Sequence, residues 1–347
     1  MEGVKVVRVW TFLAPNKGIF KRILNYVSYQ KAAVIAALFV PRSDIMIATS
    51  PQFFCGLAGA ISSLFRRGKF ILEIRDIWPD SIATVDAISN KMILRILSIF
   101  ERFMYYTANH IVAVGQGYKE ELLARGVPAE KISVIPNGVD ADFFAPQQKE
   151  NRFRSVRNLQ NKFICSYIGT IGMAHGLEVV LRAAKKLQAA GDTRTIFLLV
   201  GDGARKSELE RQVQEQGLFN VMFTGLLPKQ EMPEALAAAD CCLVHLRDTA
   251  LFRKVLPSKI FEMLSMEKPI LMGVLGEAAQ LVTEAQGGSV FKPEDDDALL
   301  QALKELQSNP DLAATRAQAG RRYVQKNYDR ERLAQQFLEL LKQQAAL

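Results

Sequence analysis

The stretch Phe163-Ile164-Cys165-Ser166-Tyr167-Ile168-Gly169-Thr170-Ile171-Gly172-Met173-Ala174-His175-Gly176, followed by the helical pattern Leu177–Ala190, decides how this chain folds. An apolar run of strand length ends on two glycines three residues apart, and a helix begins. Strand, tight turn and helix together open a βαβ unit. Glycines let backbone N–H groups approach a ligand closely, at the positively polarised start of a helix. The turn lacks the third glycine of G-x-G-x-x-G and the Gly-Lys-Ser/Thr of a P-loop, so it is neither a dinucleotide fingerprint nor a Walker site. Taken alone it reads equally as plain turn chemistry or as a phosphate cradle.

Working outward, short β-branched runs alternate with helix-length patterns on both sides. Val4–Trp10, Ile45–Ala48, Phe70–Ile74, Ile111–Val114 and Ile132–Ile135 read as strands, with helices such as Pro51–Phe65 and Lys91–Thr107 between them. A second series follows: Phe163–Ile168, Thr195–Val200, Val221–Thr224, Cys241–His245, Pro269–Met272 and Ser289–Phe291. Such alternation predicts an α/β fold of parallel sheets with helices on both faces. Residues 145–161, polar and without apolar period, separate the series as the expected linker between domains 1–144 and 162–326. The length of 347 residues suits two domains. Ligands of doubly wound domains meet the carboxyl ends of the strands, so strand-to-helix loops are the place to search.

Composition narrows the class. With 49% hydrophobic and 23% charged residues the chain is globular rather than disordered or fibrous. Cys55, Cys165, Cys241 and Cys242 form no C-x-x-C pair, and the three histidines are far apart, which predicts reduced thiols, no zinc site and a cytoplasmic location. Residues 1–110 hold 14 Lys/Arg against 7 Asp/Glu, nearly all of the net +8. The apolar run Ala32–Val40 is nine residues, far short of the ~20 of a membrane span. The helix around Lys21, Arg22 and Lys31 therefore reads as a core helix, as one whose basic end also meets anionic lipid, or, least well supported, as a nucleic-acid surface.

Three further constellations carry chemistry. Val200-Gly201-Asp202-Gly203-Ala204 is either a tight turn with Asp202 capping the next helix or a second loop facing the site. In Phe252-Arg253-Lys254-Val255-Leu256-Pro257-Ser258-Lys259-Ile260-Phe261-Glu262-Met263, Pro257 and Ser258 open a helix with Ser258 as cap. Glu262 lies about one turn inside; alone it reads as a solvated helix residue, but beside the glycine turn a carboxylate there suits accepting hydrogen bonds from two ribose hydroxyls, with Arg253 and Lys259 balancing a diphosphate. Arg75-Asp76-Ile77-Trp78-Pro79-Asp80-Ser81 closes a first-domain strand, and is either a functional loop or a buried Arg–Asp pair.

Val134-Ile135-Pro136-Asn137-Gly138-Val139-Asp140 resembles the tract closing the first domain of retaining family 4 glycosyltransferases. Phe223-Thr224-Gly225-Leu226, Ala239-Asp240 and Pro257-Ser258-Lys259-Ile260-Phe261-Glu262 follow in the family's order. Arg75 to Ser81 resembles the colanic acid and O-antigen branch, including the L-fucosamine transferase type. The resemblance implies a GT-B fold: two Rossmann-like domains with an inter-domain cleft, the first incomplete here, and residues 327–347 as a helix packing back toward it. It implies transfer of an N-acetylated deoxyamino sugar from a UDP-sugar to a lipid-linked saccharide at the inner membrane face, with retention and without metal or cofactor. By the same resemblance Gly169, Thr170 and Gly172 meet the diphosphate, Glu262 the ribose, Leu226 the base, and Gly201, Asp202 and Gly203 face the nucleotide-sugar. Three departures stand out. Lys254 occupies the position of the family's first Glu, His175 and Thr170 replace the usual Lys and Arg of the glycine turn, and the first strand, its Gly-rich loop and the crossover helix are not matched. Arg253, Ser258 and Lys259 are thus expected to serve the donor, with His175 donating if protonated, and Asp76 to position or deprotonate the acceptor. Two rival readings are a non-hydrolysing UDP-sugar 2-epimerase and an inactive partner of a glycan assembly complex.

Overall fold

The computed structural model describes residues 3–13, 19–50, 52–78 and 90–346. The chain divides into two compact units, residues 1–136 with 335–347, and residues 137–334.

In the first unit four parallel strands lie side by side in chain order: β1 (Ile45–Ser50), β2 (Lys69–Ile74), β3 (His110–Ala113) and β4 (Ile132–Val134). The crossovers carry α2 (Phe53–Ser63), α3 (Lys91–Thr107) and α4 (Gln116–Ala124), with α1 (Ile19–Phe39) ahead of the sheet. Parallel strands covered on both faces read as continuous apolar runs, and Phe70, Ile71, Leu72 and Ile74 are buried accordingly. α3 begins where Asn90 accepts from the amides of Met92 and Ile93.

Two expectations fail here. Val4–Trp10 is extended but joins no sheet, with Val4 69% and Trp10 71% exposed. A strand needs a neighbour for its amides, and β1 pairs only with β2. The segment is held instead by side chains of α1: Phe12 N–H donates to Ser28 Oγ (2.8 Å) and Asn25 Nδ2 to the Phe12 carbonyl (2.6 Å). Nor is α1 a core helix, since none of its residues 23–39 is buried and Ile35, Leu38 and Phe39 are exposed. Among the described residues no helix is long and apolar enough to cross a membrane.

The second unit holds β5 (Phe163–Ile168), β6 (Thr195–Val200), β7 (Val221–Gly225), β8 (Cys241–His245), β9 (Ile270–Gly273) and β10 (Gly288–Val290), in the parallel order β10-β9-β8-β5-β6-β7. Numbered within the unit this is the 3-2-1-4-5-6 order of a dinucleotide-binding sheet read from its other edge. Its core packs β5 and β6 against α6 (Glu178–Ala189) and α11 (Asp296–Ser308) through Tyr167, Phe197, Leu199, Val180, Leu187 and Leu303. The remaining helices are α5 (Arg152–Ser155), α7 (Lys206–Glu215), α8 (Met232–Ala237), α9 (Lys259–Ser265), α10 (Glu277–Glu284) and α12 (Pro310–Asn327); α13 (Arg330–Ala346) begins in this unit, and from residue 335 belongs to the first.

Residues 145–161 are no free linker; they belong to this unit and contain α5. Arg154, 1% exposed, donates to the carbonyls of Ala238 (2.8 Å) and Lys162 (3.0 Å) and to Asp240 Oδ2 (2.7 Å). The absence of apolar period concealed this anchor because the segment is fixed by one buried guanidinium rather than by an apolar face.

Candidate functional site

The order of the second sheet reverses between β5 and β8, so the loops leaving the carboxyl ends of these two strands flank its switch point, where ligands of such sheets bind. The β5 loop is the glycine turn. The β8 loop begins at Leu246 and is tied to it: Arg247 N–H donates to the Ala174 carbonyl (2.9 Å), and Arg247 Nε to that of Met173 (2.8 Å). His245 ends β8. Its Nδ1–H donates to the His175 carbonyl (2.6 Å) and its Nε2 accepts from Glu294 N–H (2.8 Å). Burial pushes the His245 pKa down, and this pair of partners fits the neutral ring.

The turn itself lies backbone to backbone on the loop after β6. Gly169 N–H donates to Val200 O and Ile171 N–H to Asp202 O, both 2.9 Å. A Cβ on Gly201 (φ +139°) would overlap the Gly169 carbonyl, and one on Gly203 that of Ile171. Gly201 and Gly203 therefore support the turn from beneath. Asp202 is exposed and accepts from the Gly203 amide (2.8 Å). It does not cap α7, whose N-cap residue is Arg205. Among the described residues the amides of Thr170 and Gly172 enter no hydrogen bond.

The approach to this turn is lined by nitrogen. Lys259 Nζ is buried without a hydrogen-bond partner, 4.0 Å from the centre of the Tyr167 ring. A Cβ on Gly169 would stand 3.2 Å from it. The aliphatic stem of Lys259 is only half-buried, so the nitrogen reaches inward from the surface. Burial lowers its pKa to about 7, against the opposing pull of Cys242 and Glu262. His175 Nδ1 is likewise buried and unpartnered, and lies 3.5 Å from a Cβ built on Gly172. Burial, then the nearby Lys259, push the His175 pKa down to about 3. The condition set for His175, that it be protonated, is therefore not favoured: burial outweighs the one raising influence, a hydrogen bond with the Gly172 backbone. Tyr167 fixes the turn from below, its hydroxyl donating to the Thr170 carbonyl (2.6 Å).

Glu262 sits one turn into α9, on the same helix as Lys259. Burial raises its pKa while Arg330, Lys229 and Lys259 lower it, the first prevailing. Among the described residues its carboxylate makes no hydrogen bond, leaving acceptors open. Ser258 occupies the N-cap position of α9 but its side chain caps nothing. Arg253 is exposed and held by Asp248 (2.8 Å), which absorbs the charge expected for a diphosphate. Leu226, just past β7, is 76% exposed.

The start of α6 also differs from expectation. A 3-10 turn (Met173–His175) intervenes, and the first helical residue is Glu178, bonded to Arg205 (2.6 Å) and Arg247 (3.3 Å). Burial raises its pKa, but its own amide and these two arginines outweigh that and hold it below the usual range. An acidic side chain already meets the helix tip, so the open anion-binding amides are those of the turn. Tyr167, His245 and Arg247 went unread in the sequence. The one available signal was a charged pair, Arg247-Asp248, directly after a buried strand.

In the first unit Arg75 pairs with Glu73 through Nε and Nη2, both 3.0 Å, and not as half of a buried Arg–Asp pair. Asp76 Oδ1 accepts from the Ile77 amide (2.9 Å), its carbonyl accepts from Ser50 Oγ, and Trp78 stacks on Phe53 at 5.7 Å. Pro79, Asp80 and Ser81 lie outside the described residues.

Two family profiles together span nearly the whole chain: that described as Glycosyltransferase Family 4 matches residues 2–143, and that described as Glycosyl transferases group 1 matches residues 147–323. The chain belongs to the family 4 glycosyltransferases. Within that family it is similar to WcaI of Escherichia coli (strain K12), a protein named for colanic acid biosynthesis, at 26% identity over 97% of this chain and 84% of the relative. It is also similar to O-antigen chain mannosyltransferase C of Escherichia coli, at 22% identity over 74% of this chain and 66% of that protein. The fold is the GT-B fold of Anabaena Alr3699/HepE, solved in complex with UDP-glucose, with a TM-score of 0.76 and 20% identity over 94% of this chain and 84% of that one.

Proposed function

We propose that this glycosyltransferase moves an N-acetylated deoxyamino sugar from a UDP donor to a lipid-linked saccharide during cell-surface polysaccharide synthesis, with retention at the anomeric carbon. The observation that carries the donor half is the glycine turn with its two open amides beneath the unpartnered nitrogens of Lys259 and His175. As the glycosidic bond breaks, the diphosphate gains charge. Amides left open on a turn held by the Tyr167 hydrogen bond would stabilise that charge without reorganising, an effect of about 3 kcal/mol or more per donor elsewhere. Glu262 would hold the ribose hydroxyls and the backbone at Leu226 the base. Asp76 is the acceptor-side residue of this reading. The resemblance to colanic acid and O-antigen proteins supports the acceptor class.

A lipid-linked acceptor calls for a membrane surface, and α3 offers one. Met92, Ile96, Ile99 and Tyr106 are exposed at helical spacing, Lys91, Arg95 and Arg102 are exposed around them, and the helix's one acid, Glu101, is buried against Arg125 (2.6 Å). Such a face suits the interface of an anionic bilayer. Titration calorimetry with UDP and GDP tests the donor: UDP binding is expected, and binding of GDP alone would overturn the donor class. Co-sedimentation with phosphatidylglycerol vesicles, weakened in Ile96→Glu/Ile99→Glu, tests the surface.

A further inference from the structure

Lys259 presents a problem that the donor reading alone leaves open. Its nitrogen is buried, accepts and donates nothing, and rests on the face of an aromatic ring. The groups around it come from four elements: Tyr167 from β5, His175 from the glycine turn, Cys242 from β8 and Glu262 from its own helix. Of these only Glu262 carries negative charge, and burial weakens it. Cys242 stays a thiol, pushed upward by burial. An ammonium in such a place has no water and no paired anion to replace its hydration; the Tyr167 face attracts it, but burial prevails and lowers its pKa, toward the neutral amine. A Cβ built on Gly169 would stand 3.2 Å from this nitrogen, so the bare glycine lets Lys259 lie against the turn that would meet the diphosphate.

We propose that Lys259 is an amine in the free protein and becomes an ammonium only when a nucleoside diphosphate occupies the turn, so that donor binding takes up one proton from solvent. The inference rests on the donor site described above. In the step, a buffer acid gives its proton to Lys259 Nζ; no bond of the nucleotide breaks, and the new N–H groups donate to phosphate oxygens. His175 remains neutral and contributes a hydrogen bond. The enzyme thereby holds a full positive charge where the leaving group's charge develops, without an unpaired buried ammonium in its resting state. Burial depresses the Lys259 pKa to about 7, so the amine predominates above neutral pH, where the uptake is measured.

Calorimetry of UDP binding at pH 8.0 in buffers of different ionisation enthalpy measures the uptake directly. At that pH the nucleotide's own phosphate is already ionised. The wild-type chain should take up about 0.9 proton per UDP, and its apparent Kd should rise nearly tenfold per pH unit from pH 8 to 9. Lys259→Arg, whose guanidinium stays charged, should bind with no uptake and a flat pH profile, and His175→Asn should keep the uptake. Binding with uptake below about 0.2 proton overturns the proposal while leaving the donor site intact. Uptake that survives in Lys259→Arg, or vanishes in His175→Asn, overturns the assignment to Lys259. Failure of the wild-type chain to bind UDP overturns the donor reading itself.

Discussion

Gly201→Ala tests whether the glycine turn owes its shape to the loop beneath it. At φ +139° an L-residue is strained by about 1–3 kcal/mol. The added methyl would also overlap the Gly169 carbonyl, a backbone atom that can move only by lengthening the Gly169–Val200 and Ile171–Asp202 hydrogen bonds. At about 1 kcal/mol for each bond, the total destabilisation is about 3–5 kcal/mol. Gly217→Ala is the matched control: φ is +61° and nothing lies within 4 Å of the new methyl, so only strain of about 1–2 kcal/mol applies. Urea unfolding followed by circular dichroism measures both. UDP affinity, read by calorimetry on the folded fraction, should fall at least tenfold in Gly201→Ala, because the open amides of Thr170 and Gly172 move with the turn, and stay unchanged in Gly217→Ala. Equal stability losses in the two variants, or undiminished UDP affinity in Gly201→Ala, would refute the reasoning.

Glu262→Ala should weaken UDP binding about 10- to 100-fold, the worth of hydrogen bonds to a carboxylate, while leaving pyrophosphate affinity and the thermal midpoint nearly unchanged; an equal loss for pyrophosphate would remove the ribose role. Arg154→Met should cost about 3–5 kcal/mol in urea unfolding, since Asp240 and three carbonyls lose a buried cation, and combining it with Asp240→Asn should cost less than the sum of the two single changes. For His175 the folded ring resists protonation down to about pH 3 whereas the unfolded one binds a proton near 6.5. Stability should therefore fall as pH drops through that window, and His175→Asn should make the fall shallower; superimposable pH profiles would count against a buried neutral imidazole.

What could be read from the chain before folding divides along a physical line. Ten of the eleven expected strands form, several with their expected bounds, because a buried parallel strand is a continuous apolar run and announces itself locally. Val4–Trp10 has the same local appearance and fails, since strand formation is a property of a pair and β1 offers it no hydrogen bonds. Arg154 fails in the opposite direction: a polar segment is anchored by contacts to residues more than eighty positions away, which no window of composition contains. The site shows the same division. Gly169, Gly172, Gly201, Gly203, Lys259 and Glu262 stand out as types at spacings, yet only packing reveals that Gly201 and Gly203 lie against the backbone of the turn. Packing likewise spends the charge of Arg253 on Asp248 and leaves the nitrogen of Lys259 without a hydrogen-bond partner. The two basic residues sit six positions apart, Arg253 in the segment before α9 and Lys259 at its first residue, and are equivalent by composition. Burial separates them: Arg253 is exposed and paired, and Lys259 carries a buried, unpartnered nitrogen against the glycine turn, which is why the proposal rests on the less conspicuous of the two.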